Sequence, residues 1–328
     1  MVVEGLSVIT ILYLLVLALA KKKHKIKKNK KNFFIVILPK FSLQNFKIIM
    51  KNSFVIKLFK ITTFFVFTGR AYQLIFWDAP YRSLLWDQKL ISPILEFFNF
   101  DWQSYAISLE NDFYIQCLIQ LNGVFFLICA ILCVIVKSSS LKIIKTSLIL
   151  GGFLLVFLAL LEAKSKSYIF TMFFEHTIQF SLPFIMLYYL KYKQLYKLIT
   201  PLKVIIALTF LCHGLYALGT LLPLPASFVT ITMTILGTTE ETSIRLLFIA
   251  AILDFSIVIG LFITKIDKYI LLYAFFWGLV TAFARTWSAL IHSFSLLTFH
   301  QTFYETVFRL SHGLVPLILY YILKHKKQ

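Results

Sequence analysis

Charge is what this chain has least of. Of its 328 residues only 14% are charged, and 14 Asp and Glu are outnumbered by 33 Lys and Arg. A soluble protein so apolar would have no way to cover its surface. Cysteine is sparse too: Cys117, Cys129, Cys133 and Cys212 are the whole set, none forms a CxxC, and all fall in apolar runs. That excludes a disulfide framework. It leaves Cys129 and Cys133, one helical turn apart, as packing residues on a shared face rather than a redox pair. No HExxH, glycine-rich phosphate loop or GxSxG occurs. The adjacent Glu175 and His176 would point about 100° apart on a helix, a poor arrangement for two metal ligands. The sequence therefore offers no metal site and names no reaction.

Apolar side chains are abundant instead. Hydrophobic residues make up 59% of the chain, with 35 Phe and a mean hydropathy of +0.84. Several runs approach or exceed the ~20 residues needed to cross a bilayer. An integral membrane protein embedded in a lipid bilayer is expected. The net charge of +19 does not point to nucleic acid. The lysines cluster between apolar runs and at the C-terminus, where they fix topology.

Threading the chain by that rule gives an all-α polytopic membrane protein with about nine spans. Residues 6–20 form a short anchor followed by eight lysines within residues 21–31. That order is the reverse of a signal peptide and puts the N-terminus outside. Met50-Lys-Asn would also make an ordinary start, in which case residues 1–49 stand apart from the functional unit. Further spans are expected at about 54–77, 113–136, 141–162, 168–190, 201–222, 244–264, 269–292 and 304–326. Every Lys-rich connection then falls on the cytoplasmic side with the C-terminus, except the turn holding Lys164 and Lys166. The outer segment 78–112 mixes Asp, Trp and Pro with short amphipathic pieces. It is expected to lie partly folded against the membrane surface, where it could also dock a protein partner. A plasma membrane of the bacterial inner-membrane kind is the expected location.

The chain also repeats itself. FEHTIQFSLPFIMLYYLKYK at 174–193 is answered by YETVFRLSHGLVPLILYYILKHK at 304–326, pairing Glu175 with Glu305 and Gln179 with Arg309. Tyr72 and Tyr216 stand near the outer ends of matching spans, and a Pro-containing outer segment follows each. An even number of spans per copy makes the copies parallel. The expected organisation is an anchor and linker at 1–53, one four-helix unit at 54–197 and a second at 198–328. HGLYALGTLLPLPASFVTITMTILG and, more loosely, TGRAYQLIFWDAP resemble the DoxX-like superfamily of four-span membrane proteins, here as a tandem pair over 54–326. Some relatives in that group are subunits of quinone-linked sulfur oxidation, so the resemblance implies a quinone as one ligand. The chain has no paired cysteine motif outside the membrane, unlike a thiol-redox protein.

Ionisable residues inside spans cost on the order of 2.5–3.5 kcal/mol each and need a partner or a water-filled space. Here they are Arg70, Glu175, His213, Asp254, Arg285, Glu305, Arg309 and His312. All but Asp254, near mid-membrane, fall in the outer half. Glu305, Arg309 and His312 form one stripe at helical spacing. The expected pairs are Glu305 with Arg309, Glu175 with Arg70, and Asp254 with Arg285 or His312. A shared depth points to a polar pocket on the outer side of the second unit, binding a quinone or other lipidic ligand. A small-solute transporter and a scaffold acting through 78–112 are the alternatives.

Overall fold

Each apolar run becomes a helix, because a backbone removed from water must satisfy its own hydrogen bonds. A computed structural model describes residues 43–325, with side chains from residue 53 onward. The expected span 6–20 and the lysine run 21–31 lie outside the described residues. Among the described residues there is no strand. The protein is an all-α polytopic membrane protein. The described part of Ile48–Gln328 forms one compact unit.

The first helix is α1 (Leu43–Phe76), followed by three short helices, α2 (Arg82–Leu85), α3 (Gln88–Phe97) and α4 (Trp102–Ile107). Two long helices, α5 (Leu109–Ile135) and α6 (Lys142–Ser165), lead to a helix in two pieces, α7 (Phe170–Glu175) and α8 (Thr177–Tyr192). A 3-10 turn at Leu195–Leu198 opens into α9 (Ile199–Leu218). The short α10 (Ala226–Leu236) precedes α11 (Glu240–Gly260) and α12 (Asp267–His292). A second two-piece helix closes the chain, α13 (Leu296–Arg309) and α14 (Ser311–Lys324). Among the described residues, six stretches are long and apolar enough to cross a membrane: α5, α6, Leu195–Leu218, α11, α12 and Leu296–Lys324.

The distribution of side chains on α5 shows why lipid is its solvent. It exposes Leu121, Leu127, Ile131 and Val134, and buries Asn122, Gly123, Cys129 and Cys133 together with Ile115, Ile119 and Phe126. Large apolar groups face both ways, so this helix has no polar face for water.

The described ends of the chain meet. A Cβ on Gly69 of α1 would come within 2.7 Å of the Phe308 backbone in α13, so these helices touch through their main chains. Tyr72 of α1 hydrogen-bonds His300 of α13. In matching fashion, the Tyr216 hydroxyl of α9 accepts a 2.9 Å bond from Thr171 of α7. Helix α9 packs against α7, α8, α11 and α14, and α6 packs against α8 as α12 does against α14.

Spans five and nine, expected to be continuous, are both broken, at His176 and Leu310. Pro183 and Pro316 lie beyond the breaks, inside α8 and α14. A proline cannot return a hydrogen bond to the carbonyl one turn earlier, so Pro316 leaves the His312 carbonyl free. That carbonyl faces α12: a Cβ on Gly278 would lie 2.6 Å from it. Each break is closed by a hydroxyl, Thr177 donating to the Phe174 carbonyl and Ser311 to the Phe308 carbonyl.

Residues 78–112 are folded by caps and ion pairs. Asp101 and Ser108 cap the helices that follow them, with bonds of 2.8 and 3.2 Å from Ser104 and Asn111. Arg82 clamps Asp78 and Asp112, each at 2.9 Å. Lys164, the lysine that ran against the charge pattern, donates to the Asp87 carboxylate at the start of α3. That bond is the main reason the Asp87 carboxyl titrates below its ordinary value, with a backbone bond from Leu90 adding to it. A lowered folded-state pKa means the fastening is fully present above the unfolded value of about 3.9 and is lost as pH falls below it. Hydrogen exchange across α3, corrected for intrinsic rate, should therefore accelerate below about pH 4. In Lys164→Gln it should be fast at neutral pH and should lose most of that pH dependence.

Candidate functional site

A cavity of about 380 Å³ lies between α9, α10, α11, α12 and the junction of α13 with α14. That volume falls within the range of small-molecule sites. Most of its wall is apolar, with Phe210 from α9, Leu246 and Leu253 from α11, and Trp277 and Val280 from α12. The expectation of a polar pocket is corrected to an apolar one with a polar end.

Helix α10 supplies the remaining wall. Phe228, Ile231, Thr232, Ile235 and Leu236 recur at helical spacing and all line the cavity. This is the second of the two Pro-containing segments expected on the outer side. It folds as a short helix between two turns that require positive φ, at Gly219 (70°) and Gly237 (62°). The Thr234 hydroxyl and His292 Nε2, 3.0 Å apart, tie α10 to the end of α12.

The polar end gathers five of the eight residues singled out in the sequence: His213, Asp254, Arg285, Arg309 and His312. They arrive from five different helices, α9, α11, α12, α13 and α14. The His213 and His312 rings are 5.3 Å apart, edge to face. Asp254, 4% exposed, accepts a 2.8 Å bond from the Trp277 indole. Three buried nitrogens have no hydrogen-bond partner among the described residues: His213 Nε2, His312 Nε2 and Arg309 Nε.

The other three residues lie elsewhere, and the expected pairs are exchanged. Arg285 Nη1 meets Glu305 Oε2 at 3.1 Å, and Arg309 Nη2 meets Glu175 Oε1 at 3.9 Å. Glu305 and Arg309 share α13, but each finds its partner on another helix, and only His312 lies beyond the break at Leu310. Asp254 pairs with neither Arg285 nor His312.

Arg70 belongs to a separate buried cluster. Its Nε and Nη2 donate to Gln179 Oε1 at 3.2 and 2.9 Å, and its Nη1 donates to Gln73 at 2.8 Å. Glu162 is 3.7 Å away, and the guanidinium lies 4.0 Å from the Phe308 ring centroid. Three hydrogen bonds, one carboxylate and one aromatic face thus surround the Arg70 guanidinium. Sequence reasoning missed Glu162 and Gln73 in this cluster, and Trp277 in the cavity. It also missed the buried pair Lys203–Asp267 at 2.9 Å, whose members read as ordinary flanking charges.

No protein-family model, curated protein or solved structure matches this chain.

Proposed function

We propose that this membrane protein binds a lipidic ligand with an oxygen-bearing head, a quinone among the candidates, in the cavity of its second half. The observation that carries this is that five ionisable side chains line an otherwise apolar cavity, three of them with buried nitrogens that lack a hydrogen-bond partner among the described residues. The apolar wall takes a ring or chain, and the histidine and arginine nitrogens take the head.

Several features support reading 54–197 and 198–328 as parallel copies, in keeping with a tandem DoxX-like pair. The first helix of each half bonds through a tyrosine to the broken helix of the other. The third and fourth helices pack together in both. In this reading the cavity opens toward the side holding residues 78–112, in a plasma membrane. The paired breaks favour, as a second reading, passage of a small solute.

Purified protein should carry a co-extracting lipid, detected by absorbance and mass spectrometry of the organic extract. Asp254→Asn and Arg285→Gln should insert normally and lose at least about tenfold of that lipid. Wild-type levels in both variants would remove the ligand reading. Solute accumulation in proteoliposomes, lost in the same variants, would favour the second.

A further inference from the structure

We infer that the cavity selects ligands with uncharged heads, and that Glu305 sets this selectivity by occupying the arginine an acidic head would need. The inference rests on the cavity being a ligand site, as proposed above. An acidic amphiphile entering a low-dielectric space needs a free cation to replace its water. Two arginines reach this cavity, and each already faces a carboxylate of the protein: Arg285 faces Glu305 at 3.1 Å, and Arg309 faces Glu175 at 3.9 Å.

The remaining carboxyl, Asp254, has no cation in ion-pair range among the described residues, so it brings no positive charge that an acidic head could share. What the protein leaves open is hydrogen bonding without spare positive charge. His312, 4% exposed, and His213 each present an unpartnered Nε2, and Arg309 presents its Nε. Such nitrogens suit a hydroxyl or carbonyl oxygen, since a histidine nitrogen can donate or accept according to tautomer.

The test uses the full chain in lipid nanodiscs, with two diazirine-bearing probes of equal chain length, hexadecanol and hexadecyl phosphate. Labelled peptides are mapped by mass spectrometry. In the wild type, hexadecanol should label the cavity faces of α10 and α11 about tenfold more than hexadecyl phosphate. Glu305→Gln should raise phosphate labelling there by about tenfold, because it frees a charge-assisted partner on Arg285. Adding Arg285→Gln should return phosphate labelling to the wild-type level. Should Glu305→Gln fail to fold, Glu175→Gln frees Arg309 and is scored the same way. Equal or preferential phosphate labelling in the wild type overturns the inference, as does unchanged phosphate labelling in a folded Glu-to-Gln variant. Failure of both probes to label these faces in every form overturns the ligand reading itself, and the inference with it.

Discussion

Replacing Arg70 with Met should destabilise the folded protein by about 3–5 kcal/mol, the cost of removing one member of a buried charged pair. The side chain is 3% exposed and holds Gln73, Gln179 and Glu162 together. Methionine fills much of the volume and satisfies none of those groups. Unfolding monitored in mixed micelles would give the loss directly. Arg70→Met/Glu162→Gln should recover a substantial part of it, because the stranded carboxylate is then gone. Arg70→Lys should fall in between, since an ammonium keeps the charge without the planar fork that bridges Gln179 and stacks on Phe308. An undiminished midpoint in Arg70→Met would mean the cluster contributes nothing to the fold.

Gly278→Leu should prevent α12 and α14 from crossing, and Gly278→Ala alone should cost about 1–3 kcal/mol. The atoms a Cβ would meet are the His312 carbonyl carbon and oxygen at 2.6 Å and the Gly313 nitrogen at 2.8 Å. These are backbone, so relief requires moving a helix rather than a rotamer. Gly237→Ala is the informative contrast. A Cβ there meets nothing within 4 Å, and the penalty comes only from its φ of 62°. That loss should be about 1 kcal/mol and confined to α10. The two variants separate on thermal stability: Gly278→Ala lowers that of the whole protein, and Gly237→Ala leaves it nearly unchanged.

Helix positions along the chain were largely legible in the sequence, and directions around each helix were not. Of the nine expected spans, six have a counterpart long and apolar enough to cross a membrane among the described residues. The rarity of ionisable groups within them singles out His213, Asp254, Arg285, Arg309 and His312, which the fold brings to one cavity. Their partners depend on rotation about helix axes and on two breaks that no single residue announces. Pro183 and Pro316 were visible, yet the chain bends before each of them. The repeat shows the same limit. Matching Glu175 to Glu305 leaves the two breaks one helical turn out of step, whereas matching the breaks sets Glu175 opposite Arg309, the residue it meets. Lys164 broke the charge pattern for a reason only the fold supplies, the carboxylate of Asp87. Helix α10 was hidden because apolar length is the main signal for a membrane helix, and eleven residues fall below it.

The seam where α1 meets α13 has a consequence for how the protein is made. Arg70 leaves the ribosome long before Glu162, Gln179 and Phe308 exist, so it enters the bilayer with none of those partners. Gly69 and Tyr72 wait longer still, for Phe308 and His300. This face of the first described helix is closed only when α13 arrives, which makes late synthesis a checkpoint for assembly. A chain stopped before residue 296 would present an open polar seam to the membrane. Its half-life in the cell should be short, as an unassembled chain is for quality-control proteases.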